Sequence, residues 1–243
     1  MSVSVVFVHG IRTSATMWRS QLEYLAARGT DAVALDLPGH GARMAETFTL
    51  EGALETIDTA VREAATRGKV LLAAHSMGGL ISTSYVGGDD PPPVDGFVAA
   101  SCTAFPRGLA LAAYRLLARR FDALPDRGQW LADRVLDRTL PPETRADFGA
   151  GGYAYDAQDV ALASLSTLDL LASLHRIQVP VWFINGEFDQ LRINEKMFAA
   201  AVPQSELYVV PRTSHLVTAM RPAVFDKLLE LALLTLERET DPR

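Results

Sequence analysis

Cysteine is nearly missing from this chain: Cys102 is the only one in 243 residues. No intramolecular disulfide can form, metal sites built from several thiolates are excluded, and nothing demands an oxidising compartment. Lysine is scarce too, occurring only at Lys69, Lys196 and Lys227. With 23 basic against 29 acidic residues the formal charge is −6. That argues against a nucleic-acid partner, because phosphate backbones are held by surplus Lys and Arg. Long apolar runs are absent as well. The stretch 228–236 is broken by Glu230 and Thr235 and falls well short of the roughly 20 residues a membrane helix needs. The N-terminal Ser2-Val3-Ser4-Val5-Val6-Phe7-Val8 has no basic lead and no apolar stretch of signal-peptide length. The expectation is a cytoplasmic protein with no membrane partner. Composition leaves the oligomeric state open.

What is present is a folded-domain composition, 49% hydrophobic and 21% charged, in a chain long enough for one sizeable core. Short β-branched runs alternate with longer helical patterns. Strands are expected at residues 3–8, 31–35, 70–74, 97–100, 181–184 and 207–210, and helices at 17–28, 50–67, 76–86 and 221–236. Strands separated by helices mean βαβ units, hence an α/β fold with a mostly parallel sheet and helices on both faces. The strand runs are continuously apolar, which fits burial on two sides. Residues 104–175 break the rhythm, with helical stretches at 109–120, 129–138 and 159–174 and no strand between them. The expected organisation is a core of residues 1–103 and 176–243 with a helical lid, 104–175, inserted after the fourth strand. Such an insertion sits over the C-terminal strand ends, where open α/β sheets bind ligands.

The sharpest local signal is Ala74-His75-Ser76-Met77-Gly78-Gly79 between the third strand and the next helix. A serine on a tight strand-to-helix turn is held in a strained conformation with its hydroxyl above the sheet, and the turn needs small residues two before and two after it. Ala74 and Gly78 are those residues. The helix start leaves the Met77 N–H free for an oxyanion and adds the positive end of the helix dipole. The plain competing role for Ser76 is a helix N-cap.

This hexapeptide resembles the nucleophile motif of the α/β-hydrolase family, usually written G-x-S-x-G, with Ala74 in place of the first glycine. The segment Asp36-Leu37-Pro38-Gly39-His40-Gly41 resembles the family's D-x-P-G-x-G. It reads as a turn, with Gly39 and Gly41 supplying unusual φ and Asp36 bonding backbone, and is assigned no chemistry. The resemblance covers essentially all of the chain except the lid. It implies a second oxyanion donor just after His9-Gly10, the N–H of Ile11, with His9 a structural hydrogen-bonder. Of five histidines, it implies His215, after the last strand, as the base. It implies Asp189, in the strand-G-x-x-D pattern Gly186-Glu187-Phe188-Asp189, as the acid, with Glu187 the competitor. The chain order Ser76, Asp189, His215 is the one expected for this fold.

Other residues attract attention. Cys102 reads as a small buried residue, since no base is assigned to it. Arg12 can meet an acidic substrate group or simply be solvated. Trp18, Phe105, Trp130, Tyr153 and Tyr155 are candidates for a pocket lining, of which a minority should touch ligand. Pro91-Pro92-Pro93 is a rigid surface connector. The resemblance implies a serine hydrolase cleaving a small to medium hydrophobic ester, with no metal and no organic cofactor. Thioesterases and C–C bond hydrolases share the serine triad and are not separated from esterases by sequence. A ligand-sensing receptor on the same scaffold is the alternative of a different class. Hydroxynitrile lyases add a lysine near the pocket, and none of the three here is evidently placed for it.

Overall fold

Six strands hydrogen-bond side by side, all parallel, in the order β2-β1-β3-β4-β5-β6. They are β1 (Val3–Val8), β2 (Ala32–Leu35), β3 (Lys69–His75), β4 (Gly96–Ala100), β5 (Val181–Gly186) and β6 (Ser205–Val210) in a computed structural model that describes residues 2–238. The expected strands are all present. The four inner strands are almost wholly buried, as their unbroken apolar runs require. The edge strands β2 and β6 are half-exposed.

Successive side chains of each strand point to opposite faces, and each face has its own helices. Val5, Phe7, Leu71, Ala73, Trp182 and Ile184 pack against α1 (Arg19–Ala26) and α11 (Pro222–Arg238) through Leu25, Phe225, Leu229 and Leu236. Val6, Val8, Leu72, Ala74, Ala99 and Phe183 pack against α2 (Leu50–Ala65) and α3 (Met77–Val86). Trp182, Phe183 and Phe225 are fully buried, each worth about 2–3 kcal/mol relative to exposure.

Between β4 and β5 run α4 (Gly108–Asp122), α5 (Gln129–Thr139), α6 (Pro142–Phe148), α7 (Gln158–Leu165) and α8 (Leu170–Arg176). The single helix expected at 159–174 is two: α7 stops, and the Asp169 carboxylate caps α8 by accepting the Ala172 N–H at 3.2 Å. Helix α6 was not expected. Pro141-Pro142 reads as punctuation, yet Pro142 is its first residue, where a missing N–H costs nothing. Two more short helices, α9 (Glu195–Ala201) and α10 (Val217–Met220), follow β5 and β6. The helix expected at 17–28 begins as a 3-10 turn, Ala15–Trp18, before α1. Helix α8 seats on α3, its Arg176 donating to the Gly87 carbonyl at 2.8 Å and Leu170 and Leu174 entering the core.

The sheet order reverses between β1 and β3, because the chain runs outward from β1 to β2 and returns past β1 to β3. A crevice opens at such a switch point, beyond the carboxyl ends of the strands. The loops leaving β1 and β3 carry Ile11 and Ser76. No helix of the described residues is long and apolar enough to cross a membrane.

Candidate active site

Ser76 follows β3 with φ 53° and ψ −118°, a conformation that costs a side-chain-bearing residue about 1–3 kcal/mol. Neighbouring strands enforce it: its N–H donates to the Ala100 carbonyl of β4 at 2.9 Å. The turn is so tight that a Cβ at Gly78 would lie 2.4 Å from the His9 carbonyl oxygen, and one at Gly10 would lie 2.7 Å from His75 Nδ1. Ser76 does stand at the N-cap position of α3, but its side chain caps nothing. The hydroxyl instead meets His215 Nε2 at 2.8 Å.

His215 lies in the loop between β6 and α10, and its Nδ1 is 3.0 Å from Asp189 Oδ1. The Asp189 side chain is fully buried, and Oδ1 also accepts the Leu191 N–H at 2.8 Å. Burial pushes this carboxyl up, but the His215 hydrogen bond and charge, helped by the Leu191 amide, outweigh it and hold Asp189 below the usual carboxylate range. An ionised carboxylate only accepts, so His215 Nδ1 carries the proton and Nε2 offers its lone pair to the Ser76 hydroxyl. Ser101, at the end of β4 with φ 52°, adds a weaker pull. Its buried hydroxyl and Asp189 Oδ2 have no hydrogen-bond partner of ordinary geometry. Glu187 does not reach the imidazole. Its Oε2 accepts the Arg212 N–H at 2.8 Å, bracing the turn that leads to His215.

The other histidines have separate places. His9 is wedged between the Gly10 carbonyl (2.8 Å) and the Leu37 N–H (3.1 Å). Burial and then the neighbouring His40 lower its pKa to about 3, so it stays neutral and structural. His75 donates through Nε2 to the His215 carbonyl at 2.9 Å. Burial first, then His215, lowers it to about 3 as well. His40 is buried beside Pro38, and His175 is exposed on α8. Asp36 takes the Ala15 and Ala42 N–H groups at 2.7 and 2.8 Å, closing the turn in which Gly39 and Gly41 have φ of +75° and +54°. Cys102 is buried beneath α3, and burial pushes its thiol up and away from reactivity.

Among the described residues the N–H groups of Ile11 and Met77 donate to no protein group. Both residues border cavities that also contain Ser76. The smaller cavity, about 220 Å³, is walled by Met77, Leu80, Phe105, Leu162, Leu165 and Leu191 among others. The larger, about 450 Å³, shares Ile11 and Ser76 with it and includes Arg12, Tyr153, Tyr155, His215 and Leu216. Of the five aromatic candidates, Phe105, Tyr153 and Tyr155 line a cavity. Trp18 is a core residue stacked on Phe7, and Trp130 is 56% exposed. Arg12 is not a solvated loop residue. It pairs with Asp122 and its guanidinium lies 4.9 Å from the centre of the Tyr155 ring.

Sequence reasoning missed the braces of these loops. Asn185, buried at the end of β5, donates to Thr103 (2.8 Å) and Glu195 (3.0 Å), and Arg192 grips Glu195 and the Glu187 carbonyl. A polar residue closing the apolar run 181–184 was the one visible signal.

The profile of the alpha/beta hydrolase family matches residues 5–227. The chain belongs to that family. Among its relatives, this α/β-hydrolase is 25% identical over 231 residues to the AB hydrolase superfamily protein YisY of Bacillus subtilis, an alignment covering 87% of this chain and 84% of that one. Among solved structures it is similar to E-2-(acetamidomethylene)succinate hydrolase, with a TM-score of 0.75 at 22% identity over 96% of this chain and 92% of the other. It is also similar to a thermophilic esterase from Thermogutta terrifontis, with a TM-score of 0.76 at 20% identity over 97% and 91% of the two chains. At these identities the structural matches establish the shared α/β-hydrolase fold.

Proposed function

We propose that this α/β-hydrolase is a serine hydrolase that cleaves a small to medium hydrophobic ester through an acyl-enzyme, with Ser76 as nucleophile, His215 as base and Asp189 as the acid that orients it. The observation that carries the reading is the unbroken relay of 2.8 Å from Ser76 to His215 and 3.0 Å from His215 to Asp189. A serine hydroxyl is a weak nucleophile until a base takes its proton, and the base needs a fixed tautomer and a counter-charge for its cation.

In the first step Ser76 Oγ bonds to the substrate carbonyl carbon while its proton passes to His215 Nε2. The carbonyl oxygen becomes an oxyanion held by the Ile11 and Met77 N–H groups, each worth about 3 kcal/mol at the transition state. The tetrahedral centre collapses, the C–O bond breaks, and His215 returns the proton to the departing oxygen. Water, deprotonated by the same His215, then attacks the acyl-enzyme and releases the acid. The steps balance without a metal or an organic cofactor. The helices of residues 104–175 act as a cap over the core of 1–103 and 176–243, with Leu162 and Leu165 supplying part of the wall that keeps water from the acyl group.

The same groups serve thioesters and activated C–C bonds, which differ only in the departing atom. The test is steady-state hydrolysis of short-chain p-nitrophenyl esters by wild type and Ser76→Ala. Loss of at least about 10³-fold in kcat on substitution is expected. Ser76→Ala turning over esters like wild type refutes the reading. Less than one turnover by wild type, with tight binding of a small molecule, marks a receptor instead.

A further inference from the structure

We propose that the larger cavity is a leaving-group subsite for a carboxylate, with Arg12 as its specificity-determining residue, so that the preferred substrate joins a short apolar acyl group to an anionic alcohol or phenol. The proposal rests on the serine-hydrolase reading above and adds the substrate class to it.

The direction comes from proton delivery. The imidazole that takes the Ser76 proton must hand it to the departing oxygen, so the leaving group lies on the imidazole's side of the scissile bond. His215 and Leu216 line the larger cavity and not the smaller. The smaller cavity has apolar walls apart from Ser76 and Gln190, and it adjoins Met77 rather than His215. It therefore takes the acyl part, and about 220 Å³ keeps that part short.

The charge comes from Arg12. Among the described residues it is the only one with a permanent charge that lines the larger cavity, and no carboxylate of theirs lines it. Its Nη2 is spent on Asp122, while among the described residues Nη1 meets no acceptor and the buried Nε has none. Asp122 is not among the residues lining the cavity, and it is shared with Gln158, whose Nε2 donates to its other oxygen at 3.0 Å. The Asp122 ion pair and the Tyr155 ring, its centre 4.9 Å from the guanidinium, hold the group in place. A rigid planar cation with unspent donors, in a cavity otherwise apolar or neutral, matches one planar monoanion.

The test compares butyrate esters of 3-hydroxybenzoate and of its methyl ester, which differ by one charge on the leaving group. The ionised ring is the poorer leaving group, so intrinsic reactivity runs against the expected preference. Wild type should favour the carboxylated ester at least about tenfold in kcat/KM, mostly through KM, with the ratio shrinking as salt rises. Arg12→Gln should bring the ratio to one or below, and Arg12→Lys should retain part of it. Moving the carboxylate to the acyl side, as in phenyl hydrogen glutarate against phenyl valerate, should slow wild type. Calorimetry of 3-hydroxybenzoate and its methyl ester binding to Ser76→Ala makes the same comparison without turnover. A wild-type ratio at or below one, or an unchanged ratio in Arg12→Gln, overturns the proposal. Should Arg12→Gln not fold, the wild-type ratio and its salt dependence decide alone. Failure of the serine reading has a separate signature, Ser76→Ala hydrolysing the neutral ester like wild type.

Discussion

Asp189 illustrates what one buried charge does for its neighbours. Its carboxylate is kept ionised by the imidazole it supports, so each group settles the state of the other. Asp189→Asn keeps the size and the Leu191 contact but removes the charge that selects the Nδ1–H tautomer. The expected loss is about 10³–10⁴-fold in kcat with a nearly unchanged KM and far-ultraviolet circular dichroism. Glu187→Gln is the control, because it touches the Arg212 amide and not His215. Equal losses in the two variants would show that the acid has been misassigned.

At the scale of elements, the site is a set of strand exits forced together. The β3–α3 turn passes so close to the end of β1 that Gly78 has no room for a methyl group against the His9 carbonyl. Gly78→Ala should therefore destabilise by several times the usual about 1 kcal/mol of a point mutation and separate the Ile11 and Met77 amides, read as lowered Tm together with lowered kcat. Helix α6 is tied to the His215 side of the molecule by Thr144, whose hydroxyl donates to the Ala219 carbonyl of α10 at 2.8 Å in a buried setting. Thr144→Val keeps the shape and leaves that carbonyl without this donor, for an expected loss of about 1 kcal/mol in urea unfolding. An unchanged midpoint would mean the bond contributes nothing.

At the scale of the whole molecule, the packing of α11 on α1 buries an unfavourable charge. Asp226 of α11 is buried against α1, where the Gln21 amide donates to its Oδ1 at 3.0 Å. Burial raises its pKa to about 6, the Gln21 bond offsetting part of the effect. A folded-state value above the unfolded about 3.9 means the native chain binds the extra proton between pH 4 and 6. Stability then falls as pH rises through that window and stays low above it. Asp226→Asn should stabilise by about 1–3 kcal/mol at pH 7.5, and the gain should disappear near pH 4, as read by urea unfolding at both values. A pH-independent difference would assign the effect to packing.

The fold class and the turn at Ser76 were legible in the chain because each is written locally, whereas His215 and Asp189 were reached only through the family resemblance. Unbroken apolar runs mark buried strands, and small residues flank Ser76 where the turn demands them. What lay beyond reach depends on residues far apart in the chain. Arg12 and Asp122 stand 110 positions apart, so no local pattern shows that the arginine is held rather than solvated. The break between α7 and α8, the start of α6 at a proline and the braces at Asn185, Glu195 and Ser101 also belong to tertiary structure. Helical propensity runs on until a packing partner and a cap decide where it stops. The local sequence determined where Ser76, Asp189 and His215 sit along the strands. Only the folded chain decided which cavity at Ser76 carries a cation and which does not, because cavities are made of surfaces that meet through packing rather than through sequence.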